Sequence, residues 1–443
     1  NFLIFPPARG GGHRASARAL VDAFNLLAPD AIECEIVDVW TDCAPKPFNK
    51  FVKNYQYLAK RPMMWRSLYG FGRWAPFRRA SNEWTNSKCN KPFQKCIEDS
   101  NPDLIISVHP LCQFVPLRVL RKIRKQTEKK IPFVTVVTDL GSAHPTWFHK
   151  DVDKCFVPTP KLAKMARKYG LKEDKISMHG LPIRPEFWSP ACKETKDQIR
   201  QELGLSPVTP TVFVVGGGDG VGGISKIAKA VGSELRSGEE EDKFKTTLAG
   251  TNGQMIVVCG KNEEAKRDLE THDWGDVTVK VLGFTDKMSD LMAVSDCIVT
   301  KAGPGTITEA TIRGLPIMLS SYLPGQERGN VDFVVNGGFG GFSRKPEVIA
   351  STVGKWLQDE DQLKKMSKLS QNQANPNATF EIAGEILEML KQKLGNVQPE
   401  AEHSSESEDV MMSEYDTDDM SEYEPDEEDR LDAELLAAIE TNM

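Results

Sequence analysis

FLIFPPARGGGHRASARAL (residues 2–20) opens as an apolar run and closes as an alanine-rich stretch, with the glycines Gly10 to Gly12 and then His13 between them. The run Phe2–Phe5 predicts a strand over 2–6. Ala19, Leu20, Ala23, Phe24 and Leu27 recur at helical spacing, so 14–28 predicts a helix with one buried stripe. A strand that passes through glycines into a helix is the first unit of a parallel α/β sheet.

The pattern repeats outward. IECEIVDV (32–39), DLIISVH (103–109), FVTVVTD (133–139) and CFVPT (155–159) predict further strands. GLPIRPEFWSPACKE (180–194) holds three prolines and breaks the alternation, as a domain junction does. TVFVVGGGDGVGG (211–223) then restarts it. MIVVCG (255–260), VTVKVLG (277–283), DCIVTKAG (296–303) and PIMLSS (316–321) supply strands, with helices expected near 224–235, 261–271, 286–293, 306–314 and through 346–394. Ligands of such sheets lie beyond the carboxyl ends of the strands, where the glycine loops at 10–12, 216–223 and 303–305 gather.

Composition narrows the chemistry. Nine scattered cysteines without a CxxC pair argue for a reducing compartment and against a disulfide framework or structural zinc. His144 and His149 flank Pro145 with no third ligand, so no metal site is read. The net charge of −7 hides an asymmetry: residues 399–443 carry 18 Asp/Glu and one Arg, leaving a body near +10. No run of 18 apolar residues predicts a transmembrane helix.

Gly218, Gly220 and Gly223 fit G-x-G-x-x-G, but no acid ends the next strand, which argues against a dinucleotide site. The first loop lacks the lysine of a P-loop. What remains is backbone N–H groups aimed at an anion. KAGPGTITEA (301–310) fits this best: Gly303 and Gly305 allow close approach, Thr306 reads as the N-cap, and Glu309 stands three residues on, at capping-box spacing. His13, in the first turn of its helix, is kept neutral by the positive helix end. It reads either as a general base or as a structural histidine.

GGGHRAS (10–16), DVWTD (38–42), SVHPL (107–111), RVLR (118–121), HPTWFHK (144–150), HGLPIRP (179–185), TKAGPGTITEA (300–310) and GQERGN (325–330) together resemble the plastid monogalactosyldiacylglycerol synthases, in the MurG-like inverting glycosyltransferase family 28. The resemblance spans nearly all of 1–390. It implies the GT-B fold: two Rossmann-like parallel-sheet domains facing a central cleft, followed here by a disordered acidic C-terminal tail. The expected division is an acceptor and membrane-facing domain at 1–182, a linker at 183–208, a UDP-sugar domain at 209–395 and the tail at 396–443. It implies transfer of galactose from UDP-galactose to 1,2-diacylglycerol with inversion, needing no cofactor or metal. His13 would be the base. Glu309 would hold the ribose hydroxyls, Gln326 the hexose, Glu327 would share that contact or be structural, and Asn330 would serve the donor phosphate or a helix cap. Gly217, Gly218, Gly303, Gly305 and Thr306 would line the pyrophosphate. Pro110 and Trp147 would lie near the acceptor and its lipid. A plastid envelope location follows, with any transit segment outside this chain. The alternatives are a related GT-B transferase with another donor or acceptor, and a membrane-bound lipid or nucleotide-sugar sensor.

The usual Ser-Asp-Thr before the glycines is replaced by PPAR, with Ala8 and Arg9. Asp139 and His109 are therefore the neighbours expected to position His13. Residues 46–79 hold nine Lys/Arg, nine aromatics and no acid. This window suits an anionic bilayer, phosphatidic acid included, with Trp65, Tyr69, Phe71, Trp74 and Phe77 entering the interface. Nucleic acid would also take such a patch, but the resemblance favours lipid and no nucleic-acid partner is expected. Ser405, Ser413 and Ser421 each precede an acid by three residues, a pattern for an acidophilic kinase, and LDAELLAAIE (431–440) suits a partner-binding helix. The tail either only solubilises the chain or folds onto the basic membrane face and competes there with lipid.

Overall fold

The computed structural model describes residues 1–6, 11–50, 62–188, 196–216, 223–236 and 253–395. Gly217, Gly218 and the expected disordered tail, 396–443, lie outside the described residues.

Among the described residues twelve strands form two six-stranded sheets, parallel throughout. The first contains β1 (Phe2–Phe5), β2 (Cys34–Ile36), β3 (Leu104–Ser107), β4 (Phe133–Val136), β5 (Lys154–Val157) and β6 (Ile176–Met178), in the order β2-β1-β3-β4-β5-β6. The second contains β7 (Thr211–Val215), β8 (Gln254–Val258), β9 (Val279–Leu282), β10 (Cys297–Lys301), β11 (Ile317–Ser321) and β12 (Gly340–Phe342), in the order β12-β11-β10-β7-β8-β9. The central strands β1, β3, β4 and β7 are buried at every residue, because helices cover both faces.

The helices of the first half are α1 (Gly11–Leu27), α2 (Pro62–Arg73), α3 (Ala75–Ser100), α4 (Phe114–Thr127) and α5 (Pro160–Lys168). Those that follow are α6 (Lys196–Glu202), α7 (Ile224–Leu235), α8 (Glu263–Glu270), α9 (Met288–Ala293), α10 (Pro304–Ile312), α11 (Arg328–Asn336), α12 (Pro346–Gln358), α13 (Glu360–Gln371) and α14 (Ala378–Gly395). The α1 stripe packs as its spacing predicts at Ala19, Leu20, Ala23 and Phe24, which are buried, the last three with Phe2 and Ile4, but Leu27 in the last turn is exposed. Each such buried Leu or Phe contributes about 1.5–3 kcal/mol.

The last helix departs from the expected division at 209–395. The apolar face of α14 (Ile382, Ala383, Ile386) joins the core of the first sheet, against α1. The chain therefore crosses between domains twice, and the crossings are laced together. Asn375 Nδ2 donates to His179 O at 2.6 Å, Ile183 N donates to Thr379 Oγ1 at 3.0 Å, and Trp188 meets Phe380 edge-on at 4.6 Å.

Cysteine spacing argued against disulfides, yet Cys43 and Cys96 are bonded across 53 residues. The fold brings the turn at Val39–Cys43 against α3, a proximity that sequence distance hides.

Candidate active site between the two sheets

In the first sheet the strand order reverses between β1 and β3, so the segments after these two strands diverge and open a crevice. His13 follows β1 and His109 follows β3. Their rings meet edge-on with centroids 5.1 Å apart. In the second sheet the same reversal lies between β7 and β10, above which α10 begins.

His13 Nδ1 lies 2.5 Å from Thr138 Oγ1. Thr138 in turn donates its hydroxyl proton to Val108 O at 3.3 Å. A hydroxyl has one proton; with that proton given to Val108 O, the His13–Thr138 contact is assigned an Nδ1–H donor. Nε2 then carries the lone pair. Burial pulls the pKa of His13 down to about 4, partly offset by the Val108 carbonyl. A neutral imidazole with Nε2 unprotonated can accept a proton. Of the two expected neighbours, His109 makes only ring contact, and Thr138 rather than Asp139 holds the imidazole.

Asp139 acts one step away. Its Oδ2 accepts Trp147 Nε1–H at 2.6 Å. Burial pushes its carboxyl up to about 7, while hydrogen bonds from Trp147 and from Gln326 of the other domain pull the other way. Trp147 itself is fully buried, 6.1 Å from the His13 ring centroid. The expected lipid contact of Trp147 is therefore corrected: its ring forms the wall behind His13. Pro110 is half-buried at the start of a short turn that exposes Leu111.

On the donor side, Gly303 is the N-cap of α10 and Pro304 its first residue. Thr306 is thus in the first turn and is not the cap, so the capping-box reading of Glu309 fails. Pro304 at the first position has no N–H to satisfy, and Gly303 has no side chain to cap the N–H groups of the next two residues. Glu309 is buried, and Arg184 from the interdomain crossing donates to its Oε1 at 2.8 Å. Burial raises the Glu309 pKa, opposed by Arg184. Arg184 was not singled out from sequence; its only signal was its place in HGLPIRP. Gly305 is half-buried, with open space where a side chain would project.

Two expected donor contacts are otherwise engaged. Glu327 accepts Lys301 Nζ at 2.7 Å and the Leu323 N–H at 2.8 Å, so it braces its own loop. Asn330 is buried; its Oδ1 accepts the Gly141 N–H at 2.7 Å and its Nδ2 donates to Ala302 O at 2.8 Å. That corrects its expected roles in phosphate binding and capping: it bridges the two domains. Beside it Gly141 and Gly329 bring their backbones together so closely that a Cβ on Gly141 would lie 2.0 Å from Gly329 O.

At the cleft mouth, Met64, Leu68, Phe71, Trp74 and Phe77 of α2 and α3 are 41–55% exposed. Trp65 is in α2, but its side chain lies outside the described residues. Tyr69 does not face the bilayer: its ring packs on Gly325, which has φ +80°, and meets His144 at 4.9 Å. The aromatic face thus touches the loop that carries Gln326. Among the described residues no helix is long and apolar enough to cross a membrane.

Residues 13–183 match the family described as monogalactosyldiacylglycerol (MGDG) synthase, and 211–381 match the glycosyltransferase family 28 C-terminal domain. The chain is 42% identical to the probable monogalactosyldiacylglycerol synthase, chloroplastic, of Glycine max, over 88% of this chain and 72% of that protein. Identity is also 42% to monogalactosyldiacylglycerol synthase 1, chloroplastic, of Arabidopsis thaliana, covering 88% and 71%. Two solved structures share the fold. MurG of Acinetobacter baumannii has a TM-score of 0.54 at 16% identity, over 88% of this chain and 100% of that one. MnaA of S. aureus, solved with UDP, has a TM-score of 0.54 at 13% identity, over 91% and 99%. The paired sheets, the facing switch points and these identities lead to one assignment: the chain belongs to the monogalactosyldiacylglycerol synthase family of glycosyltransferases.

Proposed function

We propose that this chain makes monogalactosyldiacylglycerol in the plastid by moving galactose from UDP-galactose to diacylglycerol, with His13 as the base. The observation that supports the role of His13 is the 2.5 Å contact of its Nδ1 with Thr138 Oγ1, which, with the proton assigned to Nδ1, leaves Nε2 as an acceptor beside the switch point. The free hydroxyl of diacylglycerol attacks C1 of galactose from the face opposite UDP. The C1–O bond to UDP breaks, the new C1–O bond forms with inversion, and the hydroxyl proton passes to Nε2. Charge on the departing phosphate is met by the N–H groups of Gly305 and Thr306 at the start of α10. Arg184 keeps Glu309 in place for the ribose hydroxyls, and Gln326 takes the hexose. No metal or cofactor is assigned a role in this scheme.

The test is transfer of label from UDP-galactose into diacylglycerol vesicles, with UDP-glucose as the donor control. Transfer from UDP-galactose alone supports the reading. Transfer only from another donor, or to another lipid, moves the chain to a related transferase. Tight vesicle binding without any turnover leaves a sensor.

Thr138 provides a finer test. Thr138→Val keeps the shape and removes the hydrogen bond. It is expected to lower kcat by roughly 10- to 100-fold with KM little changed. Thr138→Ser restores the bond and the rate. If Val and Ser behave alike, the threonine only fills space.

The aromatic face gives a prediction for the bilayer. Phe71→Ser with Trp74→Ser removes two half-exposed rings and weakens sedimentation with anionic vesicles by about 10-fold or more. Turnover on a water-soluble short-chain acceptor should persist. Unchanged vesicle binding would assign the bilayer contact to another surface.

A further inference from the structure

A second basic surface takes no part in this chemistry. Residues 118–130, from α4 to the start of β4, hold seven Lys/Arg and one acid, Glu128. The helix dipole accounts for cations in the last turn, where Arg124 and Lys125 stand, but not for so many. In a parallel sheet the connecting helix runs back along the strands, so the basic end of α4 lies at their amino ends, opposite the catalytic crevice.

There a cleft of about 350 Å³ opens, lined by Arg121, Arg124, Lys130 and Lys175. Its two acids are already paired: Asp151 with Arg121, and Asp153 with Lys393 Nζ at 2.5 Å. Arg124 and Lys130 are exposed, and neither side chain makes a hydrogen bond or ion pair among the described residues. Lys175 Nζ donates to Lys150 O at 2.9 Å and keeps its charge uncompensated there.

The complementary charge is in the chain itself. Residues 400–429 hold 15 Asp/Glu and no Lys or Arg. Helix α14 ends at Gly395, two residues beyond the Lys393 that fastens it to the rim of the cleft. The acidic segment therefore begins within a few residues of the cations. A tether this short gives an effective concentration of about millimolar.

We propose that residues 400–429 dock on this basic cleft of their own chain. The bound segment masks the face opposite the crevice. An anionic bilayer then attracts only the α2–α3 face, which presents the acceptor side to lipid, instead of choosing between two basic faces. The segment is thus placed on the back of the domain and not, as its charge alone led us to expect, on the membrane face.

The test is zero-length carbodiimide crosslinking of the full chain, which joins carboxylates to lysine amines in contact. An equal mixture of ordinary and isotope-labelled protein separates links within a chain from links between chains. The expected result is intrachain links from 400–429 concentrated on Lys125, Lys130 and Lys175. They should fall by about fivefold or more at about 1 M salt, where the Debye length is about 3 Å. The same fall at Lys125 and Lys175 is expected in Arg124→Glu/Lys130→Glu, with galactose transfer in detergent micelles confirming the fold. Links concentrated on Lys46 or Lys50 would return the segment to the membrane face and overturn the proposal. Links mainly between chains, or spread over all exposed lysines, would overturn it equally.

Discussion

His13→Ala lowers kcat for galactose transfer by about 10²- to 10⁴-fold, while UDP still binds. The expectation follows from three facts. The ring is held through Nδ1, its pKa is pulled down to about 4, and it stands beside the β1/β3 switch point. The sign of the pH dependence follows too. A base must be neutral, and His13 is neutral above about 4, so its limb of the kcat/KM profile falls only as pH drops through about 4. A second step near 7 belongs to Asp139, whose carboxyl is pushed up to about 7. Asp139→Asn should remove the step near 7 and leave the acid limb. Stability carries the same signature. Between about 4 and 6.5 the unfolded His13 binds a proton that the folded one refuses, so this site lowers stability as pH falls through that window. Turnover surviving His13→Ala would keep the enzyme and remove this mechanism.

Gly141→Ala should lower kcat/KM by about 100-fold with little change in the melting of either domain. The added methyl would stand 2.0 Å from Gly329 O, in the backbone of the other domain. No rotamer relieves a clash between a Cβ and backbone, so the domains must part. Parting them breaks the Asn330–Gly141 bond and withdraws Gln326 from Asp139. Donor and acceptor sites then lie too far apart for in-line attack. UDP affinity, set within the second domain, should change by less than about threefold, which calorimetry can read. Full activity in Gly141→Ala would mean that the seam opens during catalysis or plays no part in it.

Much of the scaffold was legible because its strands are short apolar runs bounded by proline, glycine, Asp or Asn. Phe2–Phe5, Leu104–Ser107, Phe133–Val136 and Thr211–Val215 are such runs, and each is a buried strand. The edge strands β6 and β12 were missed. They are three residues each, ISM and GGF, too short to show a period. Helix α3 was hidden as well. It buries Thr85, Cys89, Phe93 and Ile97 at a spacing of four, but only Ile97 of that stripe is aliphatic and Pro92 reads as a break. His13 and Glu309 stood out because glycine loops and resemblance marked them. Thr138 did not, since a threonine ending a strand carries no signal and its partner is 125 residues away. Trp147 and Asn330 were placed on the wrong surfaces for a related reason. An aromatic near an acceptor loop and an amide near a donor loop read as ligand contacts until packing shows what already surrounds them.

The two laced crossings between the domains have a mechanical meaning. A single covalent link would leave the second domain free to swivel in every direction about one point. Two links, at 179–188 and 372–380, joined by Asn375, Thr379 and the Trp188–Phe380 contact, define a line. The easiest relative motion is then opening and shutting about that line, like the cover of a book along its spine. Every closure brings Gly141 back to Gly329 and Gln326 back to Asp139. Alignment of sugar and acceptor is in this way inherited from the path of the chain, before any substrate arrives.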